Sequence, residues 1–364
     1  MSKDLARWLM DVGGPTIRYR TATELLGDKE SLNVAALARN VLDSPPVKMW
    51  LARMPDVTPG AAPPNTLHGS KNTHFENVMA KLAQLGCRAG MAPLDEATAP
   101  WHEWLADQVA VLESGREPKA FVGTYCSMAA ACLALAGYRS QAVVAMMRRR
   151  LGALSTFCRQ GRYDIYVDER DYPPMPKVWR GRRPLIDPTL YASGVGYLPT
   201  IYDLYLLSAL ADDHPDENTR DRLGVVARYV LDPEYQRLAP GYGIVWDGRR
   251  RYYSAGWDCK LPGYWGYAAL GSGESHQLVQ RFALMAHLEV AHEHRWFRES
   301  CAFLNLHRTE KGTWRFPGSL IRESQSGYWV TGAYMGLEEN RRRGIVREIE
   351  STFWMLRVEA MLGR

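Results

Sequence analysis

The chain has 364 residues, of which 46% are hydrophobic and 23% are charged, and its net charge is +5. These proportions are typical of a globular protein with a large core, and they exclude a chain that is disordered over most of its length. The first residues, MSKDLARWLMDVGG, lack the apolar run of about 7–15 residues of a signal peptide, and no window approaches about 18 uninterrupted apolar residues. We therefore expect a cytoplasmic protein without a membrane span.

Helical periodicity predicts most of the elements. In THFENVMAKLAQLGCRAG (73–90) and GTYCSMAAACLALAGYRS (123–140), apolar residues recur at a spacing of three and four and a glycine follows, which indicates a helix with one buried face. The same pattern predicts further helices over 2–11, 34–43, 101–113, 140–157, 200–211, 219–231, 276–291, 295–305, 331–340 and 345–362. Strand signals are limited to short pieces such as 243–246 and 313–316.

Two of the helical segments form a weak internal repeat. Gly86 aligns with Gly137 when the first segment is shifted by 51 positions, and apolar positions then align as well. Helical hairpins of about 50 residues, joined by long loops gathered at one end, are typical of closed or solenoid helical folds. The sequence predicts an all-α protein with one domain, residues 1–364, folded as an α/α barrel (toroid) or a helical solenoid.

The long loops are rich in aromatic residues. In a compact domain, loops beyond about 12–15 residues often bind ligands or cover sites. The loop 239–267 carries eight tyrosines and tryptophans, which can line a pocket for an apolar or cationic ligand, stack on sugars, or only pack the loop. The candidate substrate-binding residues from this loop and the last long loop are Tyr253, Trp257, Trp265, Tyr328 and Trp329.

The stretch YDIYVDERDYPPMPK contains three candidate catalytic acids, Asp164, Asp168 and Asp171, beside the candidate binding residue Tyr166. Burial against tyrosines would raise a carboxyl pKa towards neutrality and suit a general acid. The alternative is a solvated acidic loop. Asp258, between a tryptophan and a cysteine, is the fourth candidate acid, and it could equally cap a turn.

Three further residues are candidates for substrate binding. His68 and His74 precede a predicted helix in LHGSKNTHFEN, where a helix N-terminus attracts anions. Asp203 lies within an apolar helix, and a carboxylate there needs a partner. It is either a functional acid that faces the barrel interior or a structural group satisfied by an arginine or a tyrosine.

The sequence predicts no metal and no cofactor. The six cysteines form no CxxC pair, so we expect buried free thiols, and the histidines lack the i, i+4 spacing of a helical metal site. Clusters of arginines at 148–150, 180–183, 249–251 and 341–343 suit oxyanions or helix ends. No nucleic-acid-binding motif accompanies them, so we expect no nucleic acid as a partner.

The piece KGTWRFP and the segments GGPTIRYRTATELLGD (13–28) and EENRRRGIVREIESTFWML resemble the α/α toroid superfamily of squalene/hopene cyclases and protein prenyltransferase β subunits. They are most similar to bacterial proteins described as prenyltransferase- or squalene-cyclase-like. Two features depart from the characterised families. An arginine, Arg170, replaces an acid of the Asp-x-Asp-Asp motif of the cyclases, and Asp258 and Cys259 are adjacent, whereas the zinc site of the prenyltransferases uses Asp-x-Cys.

The resemblance implies a small-molecule enzyme related to terpenoid cyclases and prenyltransferases. One of Asp164, Asp168, Asp171 or Asp258 would donate a proton to an apolar or isoprenoid substrate in an aromatic pocket. Two alternatives stay open, namely a carbohydrate-active hydrolase or lyase of the (α/α) barrel class and a helical scaffold without enzymatic activity.

Overall fold

The structure is a computed structural model that describes residues 2–27, 33–114, 122–173, 175–179, 181, 183–191, 196–248, 251–268, 270, 275–323, 327–332 and 334–363. This part of the chain is all-α, as the sequence predicts, and its one sheet is a two-stranded hairpin. None of its helices is both long enough and apolar enough to cross a lipid bilayer.

The α-helices are α1 (Lys3–Val12), α2 (Pro15–Arg20), α3 (Val34–Asp43), α4 (Pro45–Leu51), α5 (Phe75–Gln84), α6 (Ala92–Glu113), α7 (Val122–Leu135), α8 (Gln141–Cys158), α9 (Ile201–Asp212), α10 (Glu217–Leu231), α11 (Pro233–Arg237), α12 (Leu278–Met285), α13 (Glu289–His292), α14 (Arg295–Asn305) and α15 (Val346–Met361). A π-helical turn, Thr21–Leu26, follows α2, and short 3₁₀ helices lie at Glu169–Asp171, Pro188–Leu190, Ser275–Gln277 and Trp329–Thr331. Strands β1 (Ile244–Trp246) and β2 (Tyr252–Ser254) pair antiparallel, with Val245 opposite Tyr253.

Most predicted helices are confirmed with shifts of a few residues at their ends, but α6 begins at Ala92, nine positions before the predicted start at 101. The prediction over 276–291 is divided, because the structure has a 3₁₀ turn and two shorter helices there. The prediction at 243–246 is confirmed as part of β1, whereas Trp314 forms only an isolated bridge with Arg308. The sequence analysis missed α2, α4 and α11, which are all short and all begin with proline at their first turn.

The helix predicted over 331–340 is wrong. Backbone amides of this segment donate to distant carboxylates: Gly336 to Glu323 at 3.0 Å, and Leu337 and Glu338 to Glu350 at 2.7 and 2.8 Å. A helix would need these amides for its own carbonyl groups. Tertiary hydrogen bonds therefore replace the local ones that the apolar pattern suggested.

The helices pack in two layers. One layer consists of helices that contact one another in the order α5, α7, α9, α12 and α15. The second layer contains α6, α8 and α10, which also contact one another in that order. The last residues of α5, α7, α9 and α12 all line one cavity, so these four helices run in the same direction. We call them the inner helices; each is followed by an outer one, which makes a repeated hairpin.

The internal repeat is visible at the ends of α5 and α7. Gly86 and Gly137 adopt almost the same left-handed backbone, with φ of 93° and 89°, a conformation that favours glycine. Arg88 and Arg139, two residues further on, each donate to a carbonyl oxygen five residues earlier in the chain. The 51-residue spacing therefore reflects two equivalent helix ends.

Candidate active site

A buried carboxylate lies in the first turn of α5, at the end of the inner helices where the long loops meet. Glu76 is fully buried. Its Oε1 atom accepts a hydrogen bond from the backbone N–H of Gly69 at 2.8 Å and lies 2.7 Å from Nδ1 of His68, with which it forms an ion pair when the imidazole is protonated. The other oxygen, Oε2, accepts from the hydroxyl of Tyr202 in α9. The helix N-terminus also favours a negative charge at this position.

The loop before α5 is shaped by the next side chain. The Nδ2 atom of Asn77 donates to the carbonyl oxygens of Gly69 and Lys71 at 2.7 and 3.0 Å, and its Oδ1 accepts from the backbone N–H of Trp329 at 3.0 Å. Gly69 has φ of 151°, and a Cβ atom there would collide with the ring of His74. Glu76 and Asn77 together therefore fix the loop and the position of His68.

His68 lies between two aromatic rings. The ring of Trp257 meets it edge-on at a centroid distance of 4.7 Å, and the ring of Tyr328 stacks on it at 5.7 Å. The side chain of His68 is 19% exposed to solvent. Its Nδ1 lies 2.7 Å from Oε1 of Glu76 and 3.4 Å from the hydroxyl oxygen of Tyr202. A neutral imidazole with its proton on Nδ1 finds acceptors there, and Nε2 is then the acceptor nitrogen.

Trp257 is held in an unusual backbone conformation. Its φ is 62°, which costs energy for a residue with a large side chain, and such strain is concentrated at functional sites. Its carbonyl oxygen accepts from the backbone N–H of Ile201 at 2.9 Å. The start of α9 thereby holds Trp257 close to Tyr202, the neighbour of Ile201 in the chain.

Two tyrosines beside Glu76 stay protonated at neutral pH. Burial and the neighbouring charge of Glu76 raise the pKa of Tyr202 well above its usual range. The same two causes, with burial the larger, raise the pKa of Tyr328. The hydroxyl of Tyr202 therefore keeps its proton to donate to Oε2 of Glu76, while its oxygen lies 3.4 Å from Nδ1 of His68 and can accept from it.

The acidic stretch places its carboxylates at the surface. Asp164 keeps 88% of its side-chain exposure and pairs with Arg162 at 3.2 Å. Asp168 is paired with Arg170 at 2.6 Å, and this partner holds the pKa of its carboxyl below the ordinary value. Asp171 is exposed in the short 3₁₀ helix. These positions fit a solvated acidic loop better than a proton donor, which needs a raised pKa.

The other two candidate acids, Asp203 and Asp258, form hydrogen bonds with groups of the protein itself. Asp203 is 1% exposed and accepts hydrogen bonds from Nε and Nη2 of Arg150 at 2.8 Å each. It also accepts from the backbone N–H and the hydroxyl of Thr200. Asp258 accepts from the backbone amides of Gly241 and Lys260. For Asp203, an arginine therefore supplies the structural partner that the sequence left open.

The remaining candidates make other contacts. The hydroxyl of Tyr166 accepts from the backbone N–H of Ala239 at 2.9 Å, and Nδ1 of His74, the residue before α5, accepts from the N–H of Lys71 at 3.0 Å. Tyr253 and Trp265 are exposed by 45% and 59%. Trp329 is fully buried, and its indole meets the rings of Trp50 and Tyr334.

The structure thus brings three of the candidates together: His68, Trp257 and Tyr328. The sequence analysis missed the two groups that organise them, Glu76 and Tyr202. Glu76 lies in the stretch LHGSKNTHFEN, and its charge in the first turn of a buried helix was the available signal. Tyr202 gave no signal, because tyrosines are common throughout the loops and helices of this chain.

The structure shows the binding partners of some residues in the arginine clusters. Arg150 binds Asp203 and Arg341 binds Glu350 at 2.6 Å, while the residues Arg180, Arg182, Arg249 and Arg250 lie outside the described part. Within the residues that the structure describes, there is no group of three or more metal-binding side chains. Comparisons with protein-family models, with curated proteins and with solved structures find no match to this chain.

Proposed function

We propose that this chain is an enzyme that transfers a proton to or from a small organic molecule at His68. The observation that carries the proposal is the pairing of His68 Nδ1 with the buried Glu76 at 2.7 Å, in a position flanked by two aromatic rings. A buried carboxylate that orients an imidazole and leaves its other nitrogen available is a recurrent device for general acid–base catalysis.

We further propose that the helices close into an α/α toroid, the fold that the resemblance implies. Helix α15 contacts α12 on one side and α1 and α2 on the other. The hydroxyl of Thr16, in α2, donates to the carbonyl of Leu85 directly after α5. The contacts can therefore be followed from α5 through the other inner helices to α15, and from α15 back to α5 through α2.

In this mechanism Glu76 positions His68 and stabilises the imidazolium, and Nε2 of His68 exchanges the proton with the substrate. The rings of Trp257 and Tyr328 offer apolar faces that suit a hydrocarbon or cationic part of the substrate. An imidazolium is a weaker acid than a carboxylic acid. We therefore propose transfer at an activated C–H bond or at a heteroatom, and His68 takes the role that the sequence analysis gave to an aspartate.

The glycosidase alternative has weaker support. It requires two carboxyl groups about 5 to 9.5 Å apart that both reach the sugar. Glu76, the carboxylate nearest to His68, is buried, and both of its oxygens accept hydrogen bonds from the protein. It suits a positioning role better than attack on a sugar.

The test is incubation of the protein in D₂O with isoprenoid diphosphates, squalene-like polyenes and glycosides, followed by mass spectrometry. Transfer at a C–H bond leaves deuterium on carbon in the substrate or the product. Deuterium on a heteroatom exchanges with the solvent, so transfer there is detected as formation of product. For a substrate that is turned over, His68→Gln should lower kcat by about 10²–10⁴-fold, the usual contribution of a general acid or base. Glu76→Gln should lower kcat with little change in KM, because it leaves the aromatic faces in place.

Asp168→Asn is the matched control, since it removes an acid from the surface stretch and should leave turnover unchanged. Full activity of His68→Gln with loss of activity in Asp168→Asn would reverse the assignment. A lack of both deuterium on carbon and product with all three substrate classes would count against proton transfer to these classes.

A further inference from the structure

A second site lies at the opposite end of the inner helices, independent of His68. A cavity of about 460 Å³ opens where α5, α7, α9 and α12 end, within the range of about 300–1,000 Å³ of small-molecule pockets. One wall is apolar and made of small or aliphatic side chains, among them Ala134, Leu135, Ala283 and Leu284. Charged side chains line the rest of the cavity: Arg20, Glu24, Arg88 and Arg357, which we call the charged wall, and Arg139 and Asp212 near the ends of α7 and α9.

The charged wall holds three guanidinium groups around one carboxylate. Glu24 is bound by Arg20 at 2.6 Å, by Arg357 at 2.8 Å and by Arg88 at 3.5 Å. Burial opposes the charge of Glu24, but the three arginines hold the pKa of its carboxyl far below the ordinary value. Asp212 also lines the cavity, and its charge acts on Arg357. Two negative charges thus face three positive ones in a partly buried position, which leaves one positive charge in excess. Such an excess is costly without a further partner.

Helix capping accounts for part of this charge. Arg20 donates to the carbonyl of Gln84 and Arg88 to that of Ala83, in the last turn of α5. The equivalent arginine of the next repeat, Arg139, has one carboxylate of its own at 2.7 Å. Arg357 comes from α15, and Glu24 is its one ion-pair partner among the described residues. Arg139 lines the same cavity but is balanced by this carboxylate, so the positive charge in excess comes from Arg20, Arg88 and Arg357.

The side-chain amide of Gln84 lines the same cavity and is incompletely hydrogen-bonded. Gln84 lines the cavity and is 9% exposed, and its Oε1 has no hydrogen-bond partner among the described residues. The Nε2 atom has only the sulfur of Met335, at 3.5 Å. Buried amide groups are normally satisfied. A ligand with both donor and acceptor atoms would satisfy Gln84 while its charge balances the arginines.

We propose that this cavity binds a phosphate ester with an apolar organic part. A phosphate monoester carries between one and two negative charges near neutral pH, because its second pKa is about 6, and its monoanion keeps one hydroxyl that can donate to Gln84. Its charge matches the positive charge in excess around Glu24, and guanidinium groups bind phosphate through paired hydrogen bonds. The apolar part lies along the wall formed by Ala134, Leu135, Ala283 and Leu284. Both features of the ligand follow from the two unlike walls.

The experiment is calorimetric titration of the purified protein with decyl phosphate, below its micelle concentration and at constant ionic strength. Decanoate, decanol and decyltrimethylammonium are titrated beside it. Decyl phosphate should bind most tightly, decanoate less tightly, and decanol at least about tenfold more weakly, since it lacks the charge-assisted hydrogen bonds. The cation should not bind.

Two variants test the location. Arg357→Gln should weaken decyl phosphate binding at least about tenfold, whereas Arg347→Gln, an exposed arginine of the same helix, should leave it unchanged. Glu24→Gln removes the competing carboxylate and should tighten binding, a gain that a misfolded variant cannot produce. Absence of decyl phosphate binding by the natural protein, equal effects of Arg357→Gln and Arg347→Gln, or weaker binding by Glu24→Gln would each overturn the proposal.

Discussion

The ion pair between Arg150 of α8 and Asp203 of α9 gives the sharpest prediction about stability. The two guanidinium contacts measure 2.8 Å each, and the side chains are 8% and 1% exposed. Removing one partner from a buried pair leaves an unpaired charge, which typically costs about 3–5 kcal/mol. Asp203 would keep its bonds from the N–H and hydroxyl of Thr200. We therefore expect Arg150→Met to cost about 3 kcal/mol, at the lower end of this range.

The assay is urea unfolding followed by circular dichroism near neutral pH. Arg159→Met is the matched control, because Arg159 follows directly after the same helix and binds Asp221 at 2.5 Å with both side chains about half exposed. Exposed pairs contribute about 0.2–1 kcal/mol. The large difference between the two variants should therefore come from burial and not from the loss of an arginine.

A double-mutant cycle tests the pairing itself. Arg150→Met combined with Asp203→Asn should cost less than the sum of the single changes, with a coupling of about 1–3 kcal/mol. If Arg150→Met costs no more than Arg159→Met, the argument for a buried structural pair fails. Asp203 would then return as a functional acid facing the interior.

Three further predictions concern titration and reactivity. Burial raises the pKa of Cys87 and Cys126 to about 12, so iodoacetamide at neutral pH should label the half-buried Cys301 first, and rapid labelling of a second thiol in the native protein would contradict this. Glu24 has a folded-state pKa below its ordinary value of 4.5, so its ion pairs stabilise the fold above that pH and are lost as the pH falls. Glu24→Gln should therefore lose less stability on acidification than the natural protein. Urea unfolding at a series of pH values would show this difference. The charge of Glu76 contributes to the raised pKa of Tyr328, so Glu76→Gln should lower that pKa in an ultraviolet titration, and an unchanged value would place Glu76 too far from Tyr328.

The helices were predictable because their signal is local. An apolar residue every three or four positions marks a buried face, and this pattern located α3 and α14 with their observed bounds. The glycines of the repeat were also visible, since only the left-handed backbone after a helix explains their position. The segment 331–340 failed because its amides bind Glu323 and Glu350, which the local pattern does not reveal.

The candidate site was only half predictable. His68, Trp257 and Tyr328 were recognised from residue type and loop position, but their meeting depends on Glu76 and Tyr202. Those two residues are 126 positions apart in the chain, and no periodicity connects them. The acidic stretch attracted attention through composition alone, and composition does not say which way a side chain points.

The sequence by itself determined that this protein is helical, that two of its helix ends are built alike, and that its aromatic residues gather in loops. Tertiary structure decided which carboxylates are buried and what each one binds. The physical reason is that backbone preference and hydrophobic spacing act between near neighbours, whereas the state of a carboxylate depends on burial and on the donors that the fold brings to it. Asp168 and Glu76 show the difference, since one is paired at the surface and the other is buried beneath a histidine.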